Sequence, residues 1–211
     1  MSIALVTLET TKYELSAITF GASINNFKSD QILMFSNKEI LPGIDYVPIV
    51  PLDGLFAYSN FILKDLLPYI NTTHLIIVQS DAMIVNADSW SDEFLNYDYI
   101  GAPWPMTPGL DVGNGGFSLR SRKLLAALQD PRIQLHPDDY NDWAEDAVIC
   151  RKYRSLLETD YGIKFAPRHI AERFSYESGP KIAKPFGVHK LHNVAEYATT
   201  DVANIIYQFM S

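Results

Sequence analysis

The stretch His74-Leu75-Ile76-Ile77-Val78-Gln79-Ser80-Asp81 is a short apolar run that stops abruptly at a carboxylate. A run of this length, closed by polar residues, predicts a buried strand. In an open α/β sheet, ligands bind just past the carboxyl ends of the strands. Asp81 therefore stands where a divalent cation or a ribose would be held, although a carboxylate there can also cap the next turn. Upstream, Ile3-Ala4-Leu5-Val6-Thr7-Leu8 predicts a first buried strand, and Glu14 to Asn26 a helix with Leu15, Ile18 and Ala22 on one face. Gln31 to Phe35 predicts a second strand. Tyr46 to Pro51 predicts a third, interrupted by proline and so placed at an edge. Tyr58 to Leu67 reads as a helix ended by Pro68. Strand, helix, strand, helix, strand is the pattern of a doubly wound α/β sheet, mostly parallel.

After Asp81 the rhythm changes. Asp98 to Pro105 predicts a short strand running into a proline-stiffened loop, and Phe117-Ser118-Leu119-Arg120 another strand. Ser121 is placed to cap a helix over Lys123 to Gln129. The polar segment Asp138 to Asp142 introduces a helix from about Trp143 to Leu157. Gly162 to Ala166 predicts a late strand, and Asn204 to Met210 a terminal helix. No repeat, low-complexity tract or linker interrupts residues 1–211, so a single domain is expected.

The composition of the 211 residues is that of a globular domain, with a net charge of −8. No run of basic residues exists, which argues against nucleic acid and anionic lipid as partners. One cysteine, Cys150, allows no internal disulfide. The N-terminus lacks the features of a signal peptide and no apolar run approaches a membrane span. A cytoplasmic location is the expectation.

Four clusters carry candidate chemistry. Gln79 and Asp81, two apart on an extended segment, point the same way, so one can reach a ribose hydroxyl while the other ligates Mg²⁺ or Mn²⁺. The segment Gly113-Asn114-Gly115-Gly116 lets backbone approach a ligand closely, or else makes a bulge or tight turn. It is not a phosphate loop, because the Gly-Lys-Ser/Thr ending is absent. Arg120 after it reads as a structural ion-pair partner. On the next helix, Trp143, Ala147, Cys150, Tyr153 and Leu157 form an apolar stripe at 100° per residue. Asp146 falls inside that stripe and Glu145 outside it, so Asp146 is preferred over Glu145 as a general base. His189 and His192 are three apart near the C-terminus, and His189 is the better candidate for an imidazole ligand to the cation of Asp81. Trp104 can stack on a sugar or plug the core. Tyr58, Ser59 and Lys64 are weaker candidates for a donor pocket, and His74 is expected to have no role in chemistry.

Val78 to Asp81, Asp98 to Trp104, Gly113 to Arg120, the Glu145-Asp146 helix and Phe186-Gly187-Val188-His189 together resemble the DUF5672 family, over roughly residues 3 to 193. That family looks like a GT-A type, Rossmann-like glycosyltransferase. The resemblance implies that Thr7, Leu8 and Glu9 lie near the donor nucleotide and that Gln79-Ser80-Asp81 matches the Asp-x-Asp motif holding ribose and metal. It implies Gly115 and Gly116 near the donor sugar, with Trp104 and Asn114 on the acceptor side. It implies Asp146, or its neighbour Glu145, as base in an inverting reaction, and His189 completing a divalent cation site with Asp81. Gln79 replaces the first Asp of the motif, so metal affinity should fall. The expectation is a glycosyltransferase that moves a sugar from a nucleoside diphosphate-sugar to a hydroxyl of a glycan acceptor, in surface polysaccharide or lipopolysaccharide synthesis. The rival expectations are a nucleotidyltransferase or phosphohydrolase, and a non-catalytic glycan- or nucleotide-binding module.

Overall fold

The computed structural model describes residues 1–105, 109–136 and 144–210. The chain begins with β1 (Ile3–Leu8), α1 (Tyr13–Asn26), β2 (Gln31–Ser36) and the short β3 (Tyr46–Pro48). It continues through α2 (Gly54–Asn60), which runs on into a π-helical turn over Phe61–Asp65. Then come β4 (His74–Val78), β5 (Ala82–Ile84), β6 (Tyr99–Ile100), β7 (Phe117–Ser121) and α3 (Arg122–Ala127). The C-terminal part holds α4 (Glu145–Ala147), a second π-helical turn (Val148–Lys152), α5 (Arg154–Tyr161), α6 (Arg168–Phe174), β8 (Ser175–Tyr176), β9 (Gly187–His189), α7 (Leu191–Tyr197) and α8 (Thr200–Gln208).

The six strands of the main sheet lie in the order β3-β2-β1-β4-β7-β6. β3, β2, β1 and β4 are mutually parallel, and β7 runs against both β4 and β6. β1 and β4 are buried at every position, as central parallel strands covered on both faces must be. From β1 the chain moves outward through β2 to β3, then returns to lay β4 on β1's other side. That reversal makes the carboxyl ends of β1 and β4 a topological switch point, the place where such sheets open a ligand crevice. The expected mixed α/β architecture with a mostly parallel central sheet is what the chain adopts. Among the described residues no helix is long and apolar enough to cross a membrane.

Two sequence expectations need correction. Gly162 to Ala166 forms no strand; it makes only an isolated parallel bridge from Phe165 to Tyr99 at the sheet edge. The helix expected to run to Leu157 is broken by the π-helical turn and again at Tyr153, whose φ −105° and ψ 10° leave the helical region. A π turn advances fewer degrees per residue than an α-helix, so the 100° stripe fails there and Val148, Ile149 and Cys150 are buried in succession. Trp143 and the polar segment Asp138 to Asp142 lie outside the described residues. The second sheet, β5-β9-β8, was not foreseen at all. It docks on the first where Gly187 meets Phe117: a Cβ on Gly187 would lie 2.1 Å from the Phe117 ring. Phe94, Phe174 and Phe186 pack around that ring in tilted and edge-on pairs, a geometry that aromatic quadrupoles favour.

Candidate functional site

At the switch point lies a cleft of about 350 Å³, lined by Leu8, Glu9 and Lys12 from the end of β1, Tyr58 from α2, and Gln79, Ser80 and Asp81 from the end of β4. A larger cavity, about 680 Å³, opens at the other end of β4 around His74, Asp98 and Lys123. It lies at the amino end of β4, where α/β sheets do not place their ligands. Its polar groups are also spoken for: Asp98 accepts from Ser121 Oγ and Lys164 N, and Lys123 Nζ donates to the Gly162 carbonyl.

Glu9 turns inward and its Oε1 accepts from Thr11 N (2.7 Å), Lys12 N (2.8 Å) and Thr11 Oγ1 (2.9 Å). Burial pushes its carboxyl up, but these donors outweigh burial and hold it below the ordinary value. This oxygen therefore shapes the loop after β1. Thr7 is sealed within β1 and does not line the cleft.

Asp81 is partly open to the cleft and faces His189, with Oδ1 and Nε2 3.3 Å apart. The small sheet explains the meeting. β9 is its middle strand, and its register pairs His189 with Ala82, next to Asp81. On the other side β8 runs parallel, pairing Tyr176 with Val188, so Glu177 falls beside His189. Glu177 Oε1 lies 3.4 Å from His189 Nδ1. Asn193 ties both backbones together, donating to the carbonyls of Glu177 (2.8 Å) and His189 (2.6 Å). Burial lowers the affinity of the His189 ring for its proton, but the flanking carboxylates prevail and raise its pKa to about 9. Asp81 and Glu177 are correspondingly held down against the upward push of burial. His192 is exposed and takes no part.

The glycine segment joins this cluster to the acidic turn of α4. A Cβ on Gly116 would lie 2.2 Å from His189 Nε2, and one on Gly115 would lie 2.1 Å from Glu145 Oε1. Adjacent residues thus pack against the two halves of the site, an approach only glycine permits. Gly115 N donates to Asp146 Oδ2 (2.9 Å), while Ala147 N donates to Asp146 Oδ1 (2.7 Å). Asp146 keeps some solvent access in an otherwise enclosed position. Burial and then the neighbouring Glu145 raise its pKa to about 6, against the pull of its N–H donors.

Glu145, expected on the less buried side of the helix, is the more deeply buried of the pair. The cause is Arg120, wholly buried on β7, whose Nη2 donates to Glu145 Oε1 at 2.5 Å. Glu145 Oε2 accepts from Asp146 N, and Glu145 N donates to Ser59 Oγ. Arg120 is the structural ion-pair partner that the sequence suggested, and Glu145's oxygens are consumed by the pair.

Two residues expected on the acceptor side are engaged elsewhere. Asn114 has φ 61°, in the left-handed region, and its Oδ1 accepts from Gly116 N in a local turn. Trp104 packs on Gly113, where a Cβ would be 2.1 Å from the indole, and the Arg151 guanidinium lies over the indole, 4.0 Å from its centroid. Neither lines the cleft. Tyr58 does line it; burial and Glu145 push its phenol well above the ordinary range, so it stays protonated. Ser59 supports Glu145, and Lys64 donates to the Leu128 carbonyl at 2.6 Å, away from the cleft. Lys12 and Glu177 were missed by sequence reasoning. Neither sits in a motif, and only strand register and the Glu9 turn bring them in.

As a cation site, the cluster would offer Asp81 and, once its ring gives up the proton it holds at neutral pH, His189 as adjacent donors, with Glu177 behind the ring. A carboxylate on the far nitrogen of a histidine is the usual support for a metal-binding imidazole. Among the described residues no group of three or more His, Cys, Asp or Glu side chains forms a complete cage. Two donors fill only part of a cation's coordination shell, so a cation held here would need its remaining ligands from elsewhere.

The family model described as "protein of unknown function (DUF5672)" matches residues 45–189. No protein of curated function matches the sequence. Among solved structures, the chain is similar in fold to the apo-form glycosyltransferase GlyE of Streptococcus pneumoniae TIGR4, with a TM-score of 0.58 and 12% identity. The similarity covers 100% of this chain and 63% of that one, so the chain spans less than two thirds of its neighbour's length.

Proposed function

The chain belongs to the DUF5672 family, and from that premise we propose that it is a GT-A type glycosyltransferase using a nucleoside diphosphate-sugar. The observation that carries the reading is the bend at Gly115-Gly116, which sets Asp146 beside one glycine and the His189–Asp81 pair against the next. A base and a diphosphate-facing cluster thereby share one short backbone segment, on a fold similar to that of a glycosyltransferase.

In this reading the donor lies across the carboxyl ends of β1 and β4. Leu8 flanks the nucleoside, Gln79 and Ser80 take ribose hydroxyls, and Gly115-Gly116 give the sugar room. Asp146 removes the proton from the acceptor hydroxyl. That oxygen attacks the anomeric carbon as its bond to the β-phosphate oxygen breaks, and the nucleoside diphosphate leaves with inversion of configuration. A carboxyl with a pKa of about 6 is ionised at neutral pH yet basic enough to accept the proton. Asp81 and His189 would hold Mn²⁺ or Mg²⁺, which supplies charge stabilisation to the departing diphosphate. The acceptor is a glycan hydroxyl, and Trp104 and Asn114 shape the acceptor side indirectly through Gly113 and Gly116 rather than by contact.

The test is transfer or hydrolysis of UDP-, GDP- and dTDP-sugars by the wild type and by Asp146→Asn and Asp81→Ala. Both variants are expected to lose at least a hundredfold in rate. Unchanged rates in both would reject the roles given to them. Nucleotide binding without transfer to any acceptor or to water would point instead to a binding module.

A further inference from the structure

We propose that Lys12 is the cationic side chain that binds the donor's diphosphate in this cleft, with or without a divalent cation; the inference rests on the glycosyltransferase reading above. Lys12 lines the cleft together with Gln79, Ser80 and Asp81, and also borders the neighbouring cavity beside Tyr13 and Lys38. Its backbone is fixed, because its N–H and that of Thr11 both end on Glu9 Oε1. Its side chain is exposed, and among the described residues its ammonium makes no ion pair with a carboxylate. Its charge is nevertheless felt by Asp81 across the cleft.

The charges around it define what fits. Glu9 is spent on the loop and Asp81 faces the His189 ring, so neither is a free counter-ion for Lys12. Gln79 is neutral and adds no negative charge to the cleft. The chain as a whole carries −8, which repels a nucleotide diphosphate at long range. A free ammonium on a fixed backbone, at the mouth of a crevice that opens at the sheet's switch point, matches an anion of two or more charges. Lysine binds phosphate as a compact point charge on a flexible stem. The chemical class assigned to this cleft is therefore the diphosphate: Gln79 adds no negative charge to it, and Lys12 supplies a resident cation.

The experiment is calorimetric titration of UDP, GDP and dTDP into wild type, Lys12→Met and Lys12→Arg, in EDTA and again with Mn²⁺, at several salt concentrations. Lys12→Met keeps the aliphatic stem and the backbone bond to Glu9, and its Tm should match the wild type's. In EDTA at least one nucleotide should bind the wild type, and Lys12→Met should bind it about tenfold more weakly or worse. Lys12→Arg should stay within about threefold, and the salt dependence of binding should flatten in Lys12→Met. A merely structural lysine would not change that salt slope. Affinities of wild type and Lys12→Met within twofold of one another in EDTA would overturn the proposal. Binding by the wild type only when Mn²⁺ is present would also overturn it, leaving the glycosyltransferase reading in place. Failure of the wild type to bind any of the three, with or without Mn²⁺, would instead defeat the reading on which the proposal stands.

Discussion

Asp146 and its neighbour show how one bond apart in sequence becomes two chemistries in space. Glu145 is neutralised by Arg120 at 2.5 Å, whereas Asp146 receives only backbone N–H groups and retains a pKa of about 6. If Asp146 is the base, kcat should fall as pH drops through about 6, because its protonated form cannot accept a proton, and Asp146→Asn should flatten that limb of a pH–rate profile. The sign for stability is opposite. A carboxyl with a folded pKa above its unfolded value binds more protons when folded, so its contribution weakens as pH rises from about 4 through about 6. Asp146→Asn removes this titration but turns its amide NH2 toward one of the two N–H donors, so the sign is read from pH dependence: the stability of the wild type relative to Asp146→Asn should fall as pH rises from about 4 through about 6, while the variant abolishes transfer. A Tm difference between the two proteins that stays constant from about pH 4 to about pH 7 would contradict this account. Gly115 and Gly116 are equally exacting. Gly115→Ala would drive a methyl into Glu145, which Arg120 holds in place, and should cost about 2–3 kcal/mol in chemical denaturation.

At the level of elements, the ion pair between β7 and α4 fixes the acidic turn against the sheet. Removing one partner leaves a buried charge alone, which costs about 3–5 kcal/mol. Arg120→Met should show that loss in urea unfolding, and the double variant Arg120→Met/Glu145→Leu should recover most of it. Recovery of transfer in the double variant would mark Glu145 as structural, as its consumed oxygens imply; a folded but inactive double variant would argue for a direct role. The small sheet does comparable work for His189. Its register places Ala82 on one side and Glu177 on the other, and Asn193 ties the strand ends. Glu177→Ala should weaken Mn²⁺ binding by about ten- to a hundredfold with Asp81 and His189 intact. Manganese affinity by electron paramagnetic resonance checks this directly, and an unchanged affinity would remove Glu177 from the site.

For the whole molecule, the question is which end of the sheet works. The larger cavity surrounds His74 at the amino end of β4, and the smaller cleft holds Asp81 at its carboxyl end. Filling the larger one with Asn96→Trp should leave nucleotide affinity and transfer within about twofold of wild type; a large loss would shift the site to that end. Much of this arrangement was written in local sequence. The apolar runs of β1 and β4 and the polar residues that stop them are short-range signals, and they suffice to put Gln79, Ser80 and Asp81 at the carboxyl end of a buried strand. The Ser121 cap was legible for the same reason: its hydroxyl accepts from Leu124 N three residues on. Other features had no local signature. The second sheet is built from strands of two or three residues, too short to leave a periodic pattern, so Glu177 beside His189 was invisible. The π-helical turn after Ala147 breaks the helical phase beyond it, and the burial of Glu145 is set by Arg120, a residue of β7 twenty-five positions earlier. Local sequence was enough for the long strands of the main sheet, their stops and the types of residue at the switch point, because hydrophobic burial and chain-breaking act over a few residues. Only the tertiary structure decided which polar groups are already engaged and which remain free, because that depends on register and packing between segments far apart in the chain.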